Sequence, residues 1–258
     1  MAHNLLLVVS FGTTHRGTCD KNIGGVEARL AQAFPDWTVR RAFTSTIVRR
    51  LLAKEGVPVD DVPAALAQAR GQGFTRVVLQ PTHLLYGEEY EKLCAQAAAF
   101  AGEFASLTIA KPLLADTSDL LGVAEALSAA YPPQAGTALV LMGHGTRHFV
   151  NPVYAALQTA FLLAGRRDVV VGTVEAWPAL SDVAAQAAAG GYRRAVLAPL
   201  MLVAGDHAAN DMAGPGADSW KSVLEGLGLA VEVQLRGLGE YPAILSLYEA
   251  HTRAAMGD

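Results

Sequence analysis

The chain has few charged residues, two cysteines, no basic tract and no long apolar run among its 258 residues. Charged residues make up 17% of the sequence and the formal net charge is −4, which argues against a general nucleic-acid binder. Cys19 and Cys94 lie far apart and form no metal-binding pair. Because no apolar run reaches about 18 residues, the sequence predicts no transmembrane helix.

The first apolar residues of the chain predict a strand and not a signal peptide. Leu5–Val9 has neither a basic region before it nor a cleavage site after it. We therefore expect a cytoplasmic protein with no membrane partner, although a trimmed form of an exported protein would have the same sequence.

Short apolar runs alternate with alanine-rich stretches of helical spacing, and hydrophobic residues supply 52% of the sequence. Strands that alternate with helices are typical of parallel sheets covered on both faces. The strand candidates are 5–10, 38–42, 76–80 and 107–110 in the first half, and 138–142, 169–174, 195–199 and 229–233 in the second. The sequence therefore predicts an α/β fold with four strands in each half.

The two halves also resemble each other residue by residue. Val8–Thr13 matches Leu141–Thr146 with an offset of 133, and Gly73–Pro81 matches Gly191–Pro199 with an offset of 118. The change in offset, 133 − 118 = 15, predicts an insertion of roughly fifteen residues near Arg49–Asp61. We interpret the repeat as a duplication.

A duplication predicts two similar lobes, each a four-stranded parallel sheet flanked by helices, with the active site in the cleft between them. Asp116, Pro132 and Pro133 interrupt the pattern between the halves. We therefore expect one lobe over residues 1–125 and a second, carrying the metal ligands, over 126–258.

Three potential metal ligands follow three strands of the second half: His144, Glu175 and His207. Ligands of open parallel sheets bind beyond the carboxyl ends of the strands, so these side chains are expected at one edge of one sheet. Two imidazoles and a carboxylate suit cobalt, nickel, iron or zinc better than magnesium or calcium. Each histidine taken alone is better explained as a structural residue, and the case depends on all three together.

The repeat indicates that the fold itself does not need these groups. The first half has Phe11 at the position of His144 and Glu89 at the position of His207. The loop Phe11–Thr14 could hold an anion at a helix N-terminus, but it lacks the spacing of a phosphate loop, so no nucleotide is predicted. His83 follows a first-half strand and is a weaker candidate for contact with a ligand.

Several segments resemble the anaerobic-type, CbiK-like sirohydrochlorin cobalt chelatases, a family of the class II chelatase superfamily. They are Gly143–Thr146, Glu175–Pro178 and Pro199–Met212, and the first-half segments Val9–Thr13 and Gln80–Tyr90 fit the same family. The resemblance covers nearly the whole chain, and the segment Gly205–Ala208 is quite specific.

The resemblance implies that Co²⁺ is inserted into sirohydrochlorin, or into its precorrin-2 relative, in the anaerobic cobalamin pathway. It implies metal binding by His144, Glu175 and His207, and a catalytic role for His144 and for a glutamate of the Gly87–Tyr90 segment. Of the two adjacent glutamates we favour Glu88, although one sequence leaves open which of the two faces the cleft.

A planar tetrapyrrole must lose two pyrrole protons and buckle before it accepts a metal, so the enzyme has to hold the ring as well as the ion. The residues we expect to contact the macrocycle are Phe11, Gly12, Thr13, His83, Glu89 and Arg147. The alternatives are an iron or nickel chelatase acting on the same ring, and a non-catalytic tetrapyrrole- or metal-binding protein. Some members of the family form homo-oligomers and carry a heme, and the sequence decides neither point.

Overall fold

The computed structural model describes residues 3–257, and strands alternate with helices along them. The first half forms β1 (Asn4–Ser10), α1 (Arg16–Ala33), β2 (Thr38–Phe43), α2 (Thr46–Lys54), α3 (Val62–Gly71), β3 (Arg76–Pro81), α4 (Glu88–Ala98) and β4 (Ser106–Ile109). The second half forms α5 (Thr117–Ala130), β5 (Thr137–Gly143), α6 (Val153–Leu163), β6 (Val169–Thr173), α7 (Leu180–Ala189), β7 (Arg194–Leu200), α8 (Trp220–Gly226), β8 (Ala230–Val233) and α9 (Pro242–Met256). A π-helical turn spans Ala208–Met212, and a 3₁₀ turn spans Leu238–Glu240.

The strands form two four-stranded sheets in which every neighbouring pair is parallel. The strand orders are β2-β1-β3-β4 and β6-β5-β7-β8, so the two sheets share one topology. The central strand β5 is buried along its whole length, as expected when helices cover both faces of a sheet. The predicted fold class, two similar α/β lobes with parallel sheets, is confirmed.

The register of the sheets locates the inserted residues. Ser10 pairs with Phe43 and Gly143 pairs with Thr173, so the offset falls from 133 at the first strand of each sheet to 130 at the second. Pro81 in β3 and Pro199 in β7 keep an offset of 118 (199 − 81), so the remaining 12 residues lie between β2 and β3. Helix α2, which has no counterpart after β6, supplies most of them.

The chain divides into two compact units whose bounds differ from the predicted lobes 1–125 and 126–258. The first unit contains residues 3–115 together with 242–257, and the second contains 116–241. The C-terminal helix α9 belongs to the first unit because it packs against α1 and the sheet there. Its buried Tyr248 donates a hydrogen bond to the carbonyl of Thr82 at 2.8 Å, and Thr252 donates one to the side chain of Gln80 at 2.7 Å.

The lobe boundary also falls earlier than predicted because Asp116 begins a helix instead of interrupting the pattern. The Asp116 side chain accepts a hydrogen bond from the backbone N–H of Asp119 at 3.2 Å, and the Asp119 side chain accepts one from the N–H of Asp116 at 3.2 Å. This reciprocal capping box starts α5, which packs against α6 in the second unit. No helix within residues 3–257 is long and apolar enough to cross a membrane.

Candidate metal centre

His144 lies directly after β5, and the backbone around it fixes which ring nitrogen is available. Its Nδ1 lies 2.8 Å from the carbonyl oxygen of Gly145, which can only accept, so Nδ1 donates and Nε2 keeps its lone pair. Gly145 has a φ of +83°, and a Cβ there would lie 2.8 Å from Cβ of Thr173. Glycine is therefore required where the His144 loop crosses the end of β6.

Glu175 lies just beyond β6 and is held beside His144 through the backbone. Its N–H donates a hydrogen bond of 2.9 Å to the carbonyl of His144. The carboxylate Oε1 lies 4.0 Å from Nε2 of His144. The two strand ends thus bring an imidazole nitrogen and a carboxylate oxygen close together, without a direct hydrogen bond between them.

His207 is the second residue of the helical segment that begins at Asp206 after β7, and it lies immediately before the π-helical turn. Its Nδ1 lies 2.6 Å from Oδ2 of Asp211, one helical turn further on, so Nδ1 donates to the carboxylate and Nε2 is again the free nitrogen. A carboxylate that accepts the second ring N–H of a histidine orients the ring and raises its basicity as a metal ligand. The imidazoles of His144 and His207 meet edge to face, with their centroids 4.7 Å apart.

The three side chains therefore converge. One ligand atom from each of His144, Glu175 and His207 lies within 4.8 Å of the others, and residues 3–257 contain no other such group of His, Cys, Asp or Glu. The side chains are 48%, 56% and 37% exposed, so the site is open to solvent. Two imidazoles and one carboxylate suit a borderline divalent ion, and three ligands leave a coordination position open.

The first unit has the same backbone arrangement with different side chains. The N–H of Ser45 donates to the carbonyl of Phe11 at 3.2 Å, just as Glu175 donates to His144. Phe11 and Ser45 thus occupy the positions of His144 and Glu175, and Phe11 is 51% exposed. This edge of the first sheet lacks the ligand set of the second sheet although the main chain is equivalent.

His83 and Glu89 lie close to each other in the first unit. Both ring nitrogens of His83 are buried without a hydrogen-bond partner in the described part of the chain, as is Oε2 of Glu89. Burial lowers the pKa of His83 to about 4, and the nearby Glu89 carboxylate offsets part of that shift. Glu89 also lies 3.8 Å from the ammonium group of Lys92.

The other candidate residues lie on loops or at helix ends. Glu88 is exposed in the first turn of α4, and Arg147 is exposed on the loop that follows His144. Gly12 has a φ of +97°, and a Cβ there would overlap the ring of Phe43. The hydroxyl of Thr13 accepts a hydrogen bond from the N–H of His15 at 3.2 Å.

Two polar residues at this site are absent from the set predicted by sequence. Asp211 could have been found, because it stands four residues after His207 and would share its face of a helix. Asn151 is buried and hydrogen-bonds to the loops that carry His144 and Glu175, and no sequence pattern around it indicates these contacts.

The geometry defines an α/β protein with an accessible site of two histidines and one glutamate at the edge of one parallel sheet. The sequence model of the cobalt chelatase (CbiK) family matches residues 4–257. A protein from Salmonella typhimurium named sirohydrochlorin cobaltochelatase is 39% identical to the chain over 253 residues, which cover 97% of this chain and 96% of that protein. The sirohydrochlorin cobaltochelatase CbiKC of Nitratidesulfovibrio vulgaris is 36% identical over 257 residues, covering 97% and 90% respectively.

A solved structure shares the fold at low sequence identity. SirB from Bacillus subtilis with Fe³⁺ matches with a TM-score of 0.67 and 13% identity, covering 98% of this chain and 95% of that one. The chain belongs to the cobalt chelatase (CbiK) family, whose model spans nearly all of it.

Proposed function

We propose that this chain inserts Co²⁺ into sirohydrochlorin, or into its precorrin-2 relative, and releases two protons. The observation that carries the proposal is the convergence of one ligand atom each from His144, Glu175 and His207 at one exposed place. In both histidines Nδ1 is already hydrogen-bonded, which leaves Nε2 for a metal. Membership of the cobalt chelatase family and the names of both curated relatives support the same reaction.

The site is suited to an ion that is delivered and not retained. Ligand atoms around a tetrahedral ion lie about 3.4 Å apart when each metal–ligand bond is about 2.1 Å long. The three ligand atoms lie within 4.8 Å of one another, so modest rotation of exposed side chains closes the set around Co²⁺. Since the ligands are exposed and a coordination position stays open, a second ligand can displace them from the ion.

Proton removal can use the same groups. Each pyrrole proton must leave as the metal replaces it, and a ligand that releases the ion regains a lone pair beside the ring. We assign this role to His144, whose Nδ1 donates to the Gly145 carbonyl and whose Nε2 is then free to accept a proton. A further catalytic role for Glu88 stays a prediction.

The contacts with the macrocycle are also proposed. Arg147 is exposed on the His144 loop and can pair with a carboxylate of the substrate. Phe11, Gly12, Thr13, His83 and Glu89 lie at the corresponding edge of the first sheet, and their contact with the ring stays a prediction. The cytoplasmic location and a homo-oligomeric state are likewise predictions.

The absorbance of metal-free sirohydrochlorin, followed with enzyme and Co²⁺, Fe²⁺ or Ni²⁺ in turn, tests the proposal. We expect many turnovers with Co²⁺, and the relative rates separate cobalt insertion from the iron and nickel alternatives. Glu175→Ser, which places the first-half residue in the site, should abolish insertion. Uptake that stops at one equivalent of metal or macrocycle per chain would identify a binding protein and overturn the proposed activity.

A further inference from the structure

Asn151 hydrogen-bonds to both of the loops that carry His144 and Glu175. Its Oδ1 accepts a hydrogen bond of 3.0 Å from the backbone N–H of Thr146, two residues after His144. Its Nδ2 donates one of 2.5 Å to the backbone carbonyl of Trp177, two residues after Glu175. Asn151 is only 9% exposed, so this one amide side chain joins the two loops from a buried position.

The ligands themselves have little packing to hold them in place. The side chains of His144 and Glu175 are about half exposed, and no direct hydrogen bond joins them at their separation of 4.0 Å. Their relative position therefore depends on the main chain of their loops. A backbone hydrogen bond joins the loops at their base, between the N–H of Glu175 and the carbonyl of His144. Asn151 adds a second connection farther along both loops.

We propose that Asn151 is a positioning residue for metal binding, which sets the separation between His144 and Glu175. The inference rests on the proposed metal site. An asparagine suits the place because the two loops present one donor and one acceptor, and the amide offers the complementary pair. An aspartate can accept from Thr146 but cannot donate to the carbonyl of Trp177. Replacement of Asn151 should therefore weaken metal binding without changing any ligand.

Gln158 provides a matched control in the same unit. Its Nε2 donates to the carbonyl of Val169 at 2.8 Å, and its Oε1 accepts from the N–H of Val171 at 2.7 Å. It thus joins α6 to β6 with the same two kinds of hydrogen bond, but it contacts the strand itself and not a ligand-bearing loop. Gln158→Ala should reduce thermal stability and leave metal affinity unchanged.

The test measures the dissociation constant of Co²⁺ alone, without macrocycle, by calorimetry and by the visible absorption of the bound ion. We expect Asn151→Ala and Asn151→Asp to raise it by about tenfold or more, the range seen when groups that orient metal ligands are removed. If Asn151→Ala does not fold, the measurement is made on Asn151→Asp alone. A Co²⁺ affinity equal to that of Gln158→Ala in a folded variant would overturn the inference.

A double-variant cycle separates positioning from general destabilisation. If Asn151 acts by fixing Glu175 against His144, then Asn151→Ala should change Co²⁺ affinity less than twofold once Glu175→Ala has removed that partner. A full and additive loss in the Glu175→Ala background would contradict the proposed role. Failure of the unaltered protein to bind Co²⁺ would instead refute the metal site, so the two failures are distinguishable.

Discussion

Replacement of His144 by Phe is the most direct test of the site, because the first unit already has a Phe at the equivalent position. Phe11 occupies the equivalent position after β1, with the same backbone hydrogen bond to it and half of its surface exposed. The substitution should therefore fold. A change at an exposed position usually alters the free energy of unfolding by no more than about 0.5 kcal/mol, which shifts the thermal midpoint by about 1–2 °C in a protein of this size.

The effect on metal binding should be far larger. Loss of a group that merely orients a ligand lowers metal affinity by about 10–100-fold, so loss of one of three ligands should exceed 100-fold, or about 2.7 kcal/mol. Thermal melts, Co²⁺ titration and the sirohydrochlorin absorbance assay measure the three quantities on the same preparation. Retention of most of the insertion rate at saturating Co²⁺ would show that His144 is not a ligand and that the assignment is mistaken.

Three further predictions concern groups around the ligands and in the first unit. Asp211→Asn keeps an acceptor for Nδ1 of His207 but removes the negative charge. Equilibrium dialysis should show a Co²⁺ affinity about tenfold lower. An unchanged affinity would show that the Asp211 carboxylate does not assist His207 in metal binding. Gly145→Ala should lower the free energy of unfolding in urea by more than Gly165→Ala does. Both glycines have a φ near +80°, but only a Cβ at Gly145 would lie 2.8–2.9 Å from other atoms. Equal losses of about 1–3 kcal/mol in the two variants would contradict this. His83 has its pKa lowered from 6.5 to about 4, so between these pH values the unfolded chain binds a proton that the folded protein does not. The stability of the folded state therefore falls as the pH drops from 6.5 toward 4. The free energy of unfolding should therefore fall less between pH 7 and pH 5 in His83→Gln than in the unaltered protein, by about 2 kcal/mol. An identical fall in the two proteins would refute this prediction.

The repeat in the sequence predicted more of this protein than any single motif did. The offsets of 133 and 118 recur in the register of the two sheets, because the matched segments are the central strands and the turns next to them. The same comparison singled out His144, since Phe11 shows that the fold accepts another side chain there. Such patterns can be recognised in a sequence because buried strands and tight turns restrict which residue types occur in them.

The membership of α9 in the first unit depends on contacts between distant parts of the chain. Nothing near α9 indicates that it packs on the first sheet, since the hydrogen bond from Thr252 to Gln80 joins residues 172 positions apart. The predicted boundary between the lobes was displaced by a local feature instead. We expected Asp116 to interrupt the pattern of strands and helices, but an aspartate can equally cap the start of a helix.

Some features of the candidate site could likewise be predicted from the sequence, and others depend on the fold. The residue types, and their places after three strands, could be read from the sequence because the carboxyl ends of parallel strands share one edge. Which nitrogen of each imidazole is free could not be read, since it depends on the Gly145 carbonyl and on the rotamer that brings Asp211 to His207. The contact of Asn151 with Trp177 spans 26 residues and exists only because two loops fold against each other. Which residues are the candidate ligands could thus be inferred from the sequence. The link between their loops became visible only in the fold, because hydrogen bonds between distant loops leave no periodic or local pattern.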